Sequence, residues 1–429
     1  MARGVPWTWS LALTLLLAAT WRNWVETAET GKGSLEEVYG WKVVDYAWPS
    51  EESRNAALAR GDYIPNNNVI AGIKVWGERL YVTAPRWHPG APSTLNWVPY
   101  NFSEGFGGPP LSPPLNPFPS WEMQEIGNCS AFQFVQSMEI DPLGRMWALD
   151  VGRRNIFTDT PDNSCPPKLV LLDLKQDNRV LHTFVFPDDV ASHTHSFLND
   201  LVVDVSGGGD GSDWYAYISD AEGSPGSGGG IIVYHLGSNK AWRVSDKASM
   251  NVESGAASTA VIGGQICRLN GNVADIGLAP LAEGTNNLFY APLGSFNLYS
   301  LPTSLLKNPP TDPLEISRAV INMGQRTSQS DSMAVDSTGA SYFGLLDQDA
   351  LARWPGEARI TQGDPSQAEI LAVDHVRLLW INKFGFDNTN KYLFMLTNRA
   401  HMLQRYNFSE VNFRLLRYKI YARSYMYPA

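Results

Sequence analysis

Apolar and polar positions alternate along this chain in short runs, and six times such a run meets a tight turn followed by a second run centred on an aromatic residue. The copies are Ile73–Tyr81, Met138–Trp147, Leu201–Tyr217, Ile276–Phe289, Met333–Tyr342 and Phe384–Phe394. Period-two alternation sends successive side chains to opposite faces, so each copy reads as a β-hairpin. The turns carry the residues that a reversal needs: Gly77-Glu78, Pro142-Leu143-Gly144, Asn286-Asn287, Ser337-Thr338-Gly339 and Asn388-Thr389-Asn390. Third strands are legible at Lys168–Leu174 and Gly230–His235. One such unit is too small to bury both of its faces, and similar hairpins at a regular period stack into a ring with few exposed edges. The pattern predicts an all-β chain folded as a six-bladed β-propeller.

Long amphipathic helical patterns are almost absent, and 37 Gly and 28 Pro spread through 429 residues suit a turn-rich β chain. No linker interrupts the repeat, so residues 29–429 are expected to form a single propeller domain. The apolar-alternating segment Val38–Trp48 precedes the first repeat and is predicted to join the last blade, around Phe384–Ile420, closing the ring. Pro-rich Gly107–Pro119 and Gly-rich Gly207–Gly211 and Gly223–Gly230 read as loops on one rim.

The first 28 residues carry a different pattern. Arg3 precedes the uncharged apolar stretch Leu11–Ala19, too short to span a bilayer and followed by small residues. It reads as a secretory signal peptide cleaved between about Thr20 and Ala28. No later stretch reaches membrane-spanning length, and a secreted, extracellular protein is expected. Asn101, Asn128 and Asn407 lie in glycosylation sequons. In an oxidising compartment Cys129 and Cys165, which flank the second hairpin, are predicted to pair. Cys267 is left over, either as a buried apolar thiol or as an intermolecular contact.

Net charge is −10, from 33 basic against 43 acidic residues, without a Lys/Arg run, which disfavours nucleic acid as a partner. Arg153-Arg154 is an isolated pair that reads as solvated or engaged in structural ion pairs. Zinc-ligand spacings, Ser-His-Asp arrangements and Gly-rich phosphate loops do not occur, so no metal or cofactor is implied.

An ordered series of segments resembles the Yellow / major royal jelly protein family. It comprises Thr83–Asn96, Gln136-Ser137, Leu149–Gly152, Cys165–Leu174, Tyr217–Asp220, Trp242-Arg243-Val244, Ser328-Gln329-Ser330, Thr397-Asn398-Arg399 and Phe413-Arg414, spanning about Gly40 to Ile420. The resemblance implies a secreted six-bladed propeller and, again, a Cys129–Cys165 bridge. Many members carry a second cysteine pair with one partner just before a blade-five Trp, where this chain has Arg353-Trp354. Roles implied by the family range from cuticle, eggshell and pigmentation proteins to amine binders and dopachrome-converting enzymes. Asp150–Phe157 resembles the eggshell-associated branch.

Function must be argued from the site. Polar residues gather where the channel-lining strands should begin: Asn68 at the end of an Asn triplet, Gln136, Asn199, Asp200, Gln329, Asp331 and Asn382. One reading pairs Asp200 and Asp331 with a ligand ammonium while amides bind catechol or indole hydroxyls and Phe134, Tyr342 and Phe343 supply aromatic walls. The competing reading makes the same groups strand caps and partners of ordered water. A tautomerase would need an acid–base residue, for which His193 and His195, or His88, are the candidates. A calcium-dependent lactonase-like propeller would use Asn199, Asp200, Asp331 and Asn382 as hard-oxygen ligands. A coat protein would act through its rim, with extracellular-matrix proteins as partners.

Overall fold

The computed structural model describes residues 33–102, 111–222, 228–280, 286–312, 314–355, 363–403 and 405–427. The segment read as a signal peptide lies outside the described residues.

Each hairpin read from the sequence supplies the two inner strands of a four-stranded antiparallel sheet. An N-terminal strand, β1 (Leu35–Trp41), and a short helix, α1 (Glu51–Arg60), precede the first sheet. Blade 1 is β2 (Gly72–Trp76), β3 (Arg79–Thr83), β4 (Leu95–Pro99) and β5 (Asn116–Pro117). Blade 2 is β6 (Val135–Ile140), β7 (Arg145–Asp150), β8 (Lys168–Asp173) and β9 (Val180–Val185). Blade 3 is β10 (Leu198–Asp204), β11 (Tyr215–Asp220), β12 (Gly230–His235) and β13 (Lys240–Val244). An extra hairpin, β14 (Thr259–Ile262) and β15 (Gln265–Arg268), intervenes before blade 4, which is β16 (Val273–Pro280), β17 (Asn286–Pro292), β18 (Asn297–Pro302) and β19 (Ile321–Gln325). Blade 5 is β20 (Met333–Val335), β21 (Ser341–Leu345), β22 (Ala350–Trp354) and β23 (Glu369–Val373). Blade 6 is β24 (Ile381–Asp387), β25 (Tyr392–Thr397) and β26 (Phe413–Lys419), with β1 as its outer strand. The protein is a six-bladed β-propeller.

The register explains the repeat. Aromatic marks Tyr81, Trp147, Tyr217, Phe289, Tyr342 and Phe394 stand on the second strands opposite Lys74, Glu139, Val202, Gly277, Ala334 and Gly385 of the inner ones. All six rings are buried, and a buried aromatic stabilises by roughly 2–3 kcal/mol. In three blades the polar tip of the ring also holds the turn. Trp147 Nε1 donates to Asp141 (2.9 Å), the Tyr217 hydroxyl to Asp204 (3.3 Å) and the Tyr342 hydroxyl to Asp336 (2.9 Å). The second function of each carboxylate is to accept amide N–H groups of its own turn, as Asp141 does from Leu143 and Arg145. Inner strands crowd the axis, and two glycines answer to that. A Cβ at Gly277 would meet Val335 Cγ2 at 2.9 Å, and one at Gly385 would meet the Ile73 carbonyl oxygen at 3.0 Å.

Ring closure uses β1 paired antiparallel with β26 from Leu35↔Tyr418 to Trp41↔Phe413. The strand thus starts and ends earlier than the Val38–Trp48 segment. Past Trp41 the chain leaves the sheet, and Tyr46 only bridges Leu115. Connectivity also corrects the placing of the loops. Gly207–Gly211 lies between β10 and β11, whereas the second stretch, of which residues 223–227 lie outside the described residues, falls between β11 and the start of β12, so the two connections belong to opposite ends of the blade. The described part of the Pro-rich stretch contributes β5, and Leu111 and Leu115 bridge back to Tyr39 and Tyr46.

Cys129 and Cys165 form a disulfide with Cα atoms 5.3 Å apart, tying the segment before β6 to the one before β8. Its 36-residue separation sets the expected cost of removal: a double Ser variant should lose about 3–4 kcal/mol in urea unfolding. A loss below 1 kcal/mol would show the clamp to be redundant. Cys267 is free and half-buried on β15, packed toward Leu379 and Trp380.

Candidate functional site

Inner strands of a propeller converge on a central channel, and the end at which they begin is here called upper. Sequence-predicted residues separate into those that reach this channel and those consumed by the scaffold. Asn68 belongs to the scaffold: it accepts from the Tyr46 hydroxyl (2.6 Å) and donates to the Ile64 and Gly90 carbonyls. Gln329 donates to the carbonyls of Ala257 and Thr259, anchoring the β14–β15 hairpin. Tyr342 points to Asp336 at the lower end of its own blade. Phe343 packs in the core of blades 4 and 5 beneath the Arg326 guanidinium, and Phe134 packs against Phe197.

The remaining candidates meet. Gln136 Nε2 donates to Asn199 Oδ1 (3.2 Å), and Asn199 Nδ2 donates to the Ala274 carbonyl (3.0 Å). Ser137 Oγ donates to Asp200 Oδ1 (2.7 Å). Asp331 Oδ2 accepts from Trp380 Nε1 (2.7 Å) and Asn382 Nδ2 (2.6 Å). All of these side chains are buried.

The cations of this cluster were not singled out from the sequence. Lys383 Nζ faces Asp200 at 3.0 Å, a charge contact outside hydrogen-bonding geometry. Lys74 donates to Glu139 at 2.9 Å, and Arg326 to Asp275 at 2.8 Å. Lysine on a short strand reads as solvent-facing, and only the stacking of blade 1 on blade 2 brings Lys74 beside Glu139. Four carboxylates, Glu139, Asp200, Asp275 and Asp331, therefore stand against three cations, and Asp331 is the one without an ion pair among the described residues. Burial pushes its carboxyl up to about 6, although the Lys383 charge and its two donors pull the other way. Burial likewise raises Asp275, to about 7, against the pull of Arg326.

Trp380 has φ 59°, the left-handed region that costs a bulky side chain of order 1–3 kcal/mol. Three contacts hold it there: the bond to Asp331, a stack on His401 with ring centroids 6.4 Å apart, and packing beneath Ala260 and Ile262 of the β14–β15 hairpin. Burial and the Arg399 charge push His401 down to about 4, so it is neutral at pH 7.

The histidines predicted from sequence lie elsewhere. His193 is exposed and paired with Asp188 at 2.6 Å. His195 is an exposed loop residue whose carbonyl accepts from Arg153 (2.7 Å). His88, pushed down by partial burial, lines a 160 Å³ surface pocket with Arg86 and Arg154. Their partners lie outside the channel cluster: Asp188 for His193, Thr194 for His195 and the pocket beside Arg86 for His88. Arg153 and Arg154 form ion pairs with Glu222 and Asp162. A lactonase-like metal would need Asp200 as a ligand, yet Lys383 already supplies its counter-charge. No cluster of three or more His, Cys, Asp or Glu fit to hold a metal occurs among the described residues.

The enclosed space on the axis, between Lys74, Glu139, Asp200 and Tyr425, measures about 30 Å³, room for one water-sized group. Among the described residues no helix is long and apolar enough to cross a membrane.

The family model for major royal jelly proteins matches residues 133–425. Protein yellow of Drosophila melanogaster is 29% identical over 387 residues, covering 89% of this chain and 68% of that protein. Its Drosophila yakuba counterpart is 28% identical over 411 residues, covering 94% and 71%. A solved structure of a luciferin-regenerating enzyme covers 91% of this chain and 97% of its own at 12% identity, with a TM-score of 0.44. With the family match spanning blades 2 to 6 and similarity to protein yellow reaching across most of the chain, this propeller belongs to the major royal jelly protein family.

Proposed function

We propose that this chain is a secreted Yellow-type protein of an extracellular coat or pigmentation pathway that binds a small catechol-bearing or indole-bearing amine at the upper mouth of its channel. The observation that carries the reading is Asp331, the carboxylate left without a cation in a buried cluster where its three neighbours each have one. A ligand ammonium would supply the fourth positive charge, Trp380 an aromatic edge, and the free oxygens of Asn382 and Gln136 acceptors for hydroxyl groups. The first 28 residues support secretion, and Asn101, Asn128 and Asn407 are exposed, as glycan acceptors must be.

Asp331→Asn tests it. The variant keeps an acceptor oxygen for Trp380 and Asn382 and removes only the charge, so titration calorimetry against dopamine and serotonin should show binding weakened by about 2 kcal/mol, roughly thirtyfold. The sign of the pH effect follows from the raised carboxyl. Below about 6 Asp331 is protonated and neutral, so amine affinity of the parent should fall as pH drops through that range while the Asn variant stays flat. Equal binding by parent and variant, or none by the parent, would remove the amine reading.

A dopachrome tautomerase is a second reading with one observation behind it: a carboxyl titrating near 6 is suited to proton transfer at neutral pH. In that case Asp331, rather than His193 or His195, would be the base. Asp331→Asn would then abolish dopachrome turnover, and unchanged turnover would exclude this role.

A further inference from the structure

The lower end of the channel is occupied by the chain itself. After β26 the segment Arg423–Tyr427 runs beneath the ring and contacts the inner strands of several blades. Each innermost strand lacks a neighbour on its axial side, leaving backbone groups that need partners. Tyr425 supplies them on two blades. Its hydroxyl donates to the Val203 carbonyl and accepts from the Val203 N–H, both at 2.9 Å, and its own N–H donates to the Val335 carbonyl at 3.2 Å. Around it Ser337 N–H donates to the Arg423 carbonyl at 2.9 Å, and Ser424 N–H donates to Asn388 Oδ1 at 2.8 Å. Blades 3, 5 and 6 are thereby tied to one short segment. Tyr425 closes the 30 Å³ space beside Lys74, Glu139 and Asp200, and Met426 and Tyr427 cover a 10 Å³ space below it beside Lys74 and Glu139. Burial holds the Tyr425 phenol far above its ordinary range, so its hydroxyl keeps the proton it donates.

We propose that the lower channel is a peptide-binding site selective for tyrosine, filled in cis by residues 423–427, which makes the channel blind-ended at its lower end. The recognition is strand-like on blade 5, whose main chain pairs with the segment backbone, while the Val203 main-chain groups of β10 bind the tyrosine hydroxyl and give selectivity. Short peptides bind such edges weakly, and tethering raises the effective concentration to the millimolar range, enough to keep the site filled. The inference stands independently of amine binding.

Native Lys74 reports on the site, because its side chain lines both spaces. Reductive methylation followed by mass spectrometry, with exposed Lys240 as the internal reference, measures access. In the parent, Lys74 should label at least tenfold more slowly than Lys240. A chain ending at Ile420 should label the two at comparable rates, and the synthetic peptide Arg-Ser-Tyr-Met-Tyr added at millimolar concentration should restore protection, whereas its Arg-Ser-Ala-Met-Tyr analogue should not. Tyr425→Ala in the full chain gives the same reading if the shorter chain fails to fold. Fast labelling of Lys74 in the parent would overturn the proposal, as would unchanged protection in Tyr425→Ala or equal protection by the two peptides.

Discussion

Replacing Arg86 with methionine is expected to leave almost no folded protein. The guanidinium is 2% exposed and donates to five backbone carbonyls: Ala91, Pro92, Gln124, Phe132 and Gln133, at 2.6 to 2.9 Å. These belong to segments of blade 1 and the approach to blade 2, so one side chain fixes their relative positions. Methionine fills much of the volume and satisfies none of the acceptors. Each buried carbonyl left unpaired costs about 1–3 kcal/mol, and five together reach the 5–15 kcal/mol that holds a typical domain folded. Burial lowers the Arg86 guanidinium to about 10, so it stays charged at neutral pH and every bond is charge-assisted. Lysine, with three donors for five acceptors, should give an intermediate result. Secreted yield and urea unfolding measure both variants, and a methionine variant that unfolds at the parent's midpoint would show that the carbonyls find other partners.

Removing residues 33–41 should cost nearly as much. β1 contributes the buried side chains Val38, Tyr39 and Trp41 and covers one edge of β26. It also brings Glu36 to Arg417 (2.7 Å) and Glu37 to Arg414 (3.3 Å). Loss of three large buried side chains alone amounts to roughly 6–10 kcal/mol, and the bared β26 edge is a template for pairing with another chain. A chain starting at Lys42 is expected to sediment as aggregates. A monodisperse, cooperatively melting product would mean that three strands suffice for blade 6.

The inner hairpins were legible because two independent signals coincide: alternation along the strand, and a Gly, Asn or Pro turn before an aromatic mark, which in three blades also bonds an Asp of that turn. Apart from β1, whose alternation was readable with its bounds displaced, the outer strands gave neither. β5 is two residues long, β9 is largely exposed, and β19 and β23 pair with register shifts. Helix α1 buries only Ala57, so it has no apolar stripe to read. The β14–β15 hairpin had a readable signal, Gly263-Gly264 with φ of 56° and 78° between two apolar runs. In the channel, polarity at the strand starts located Asp200, Asp331, Asn199 and Asn382. It also picked Asn68 and Gln329, since the ends of strands need caps as well as sites. The charge balance was invisible for a physical reason: Lys74, Lys383 and Arg326 acquire their carboxylates only from other blades or from opposite ends of one blade, a relation that no local window contains.

Blade 6 joins the earliest and the latest strands to be made, Glu36 and Arg417 being 381 positions apart. At roughly 5–20 residues synthesised per second, the first strand waits about 20–80 s for its partner to emerge from the ribosome. During that interval Trp41 and Val38 have no sheet to enter, and five blades can form while the sixth cannot. Slow translation of the last hundred codons, or a shortage of holdase chaperones, would therefore lower the yield of this protein without changing the stability of the molecules that complete their ring.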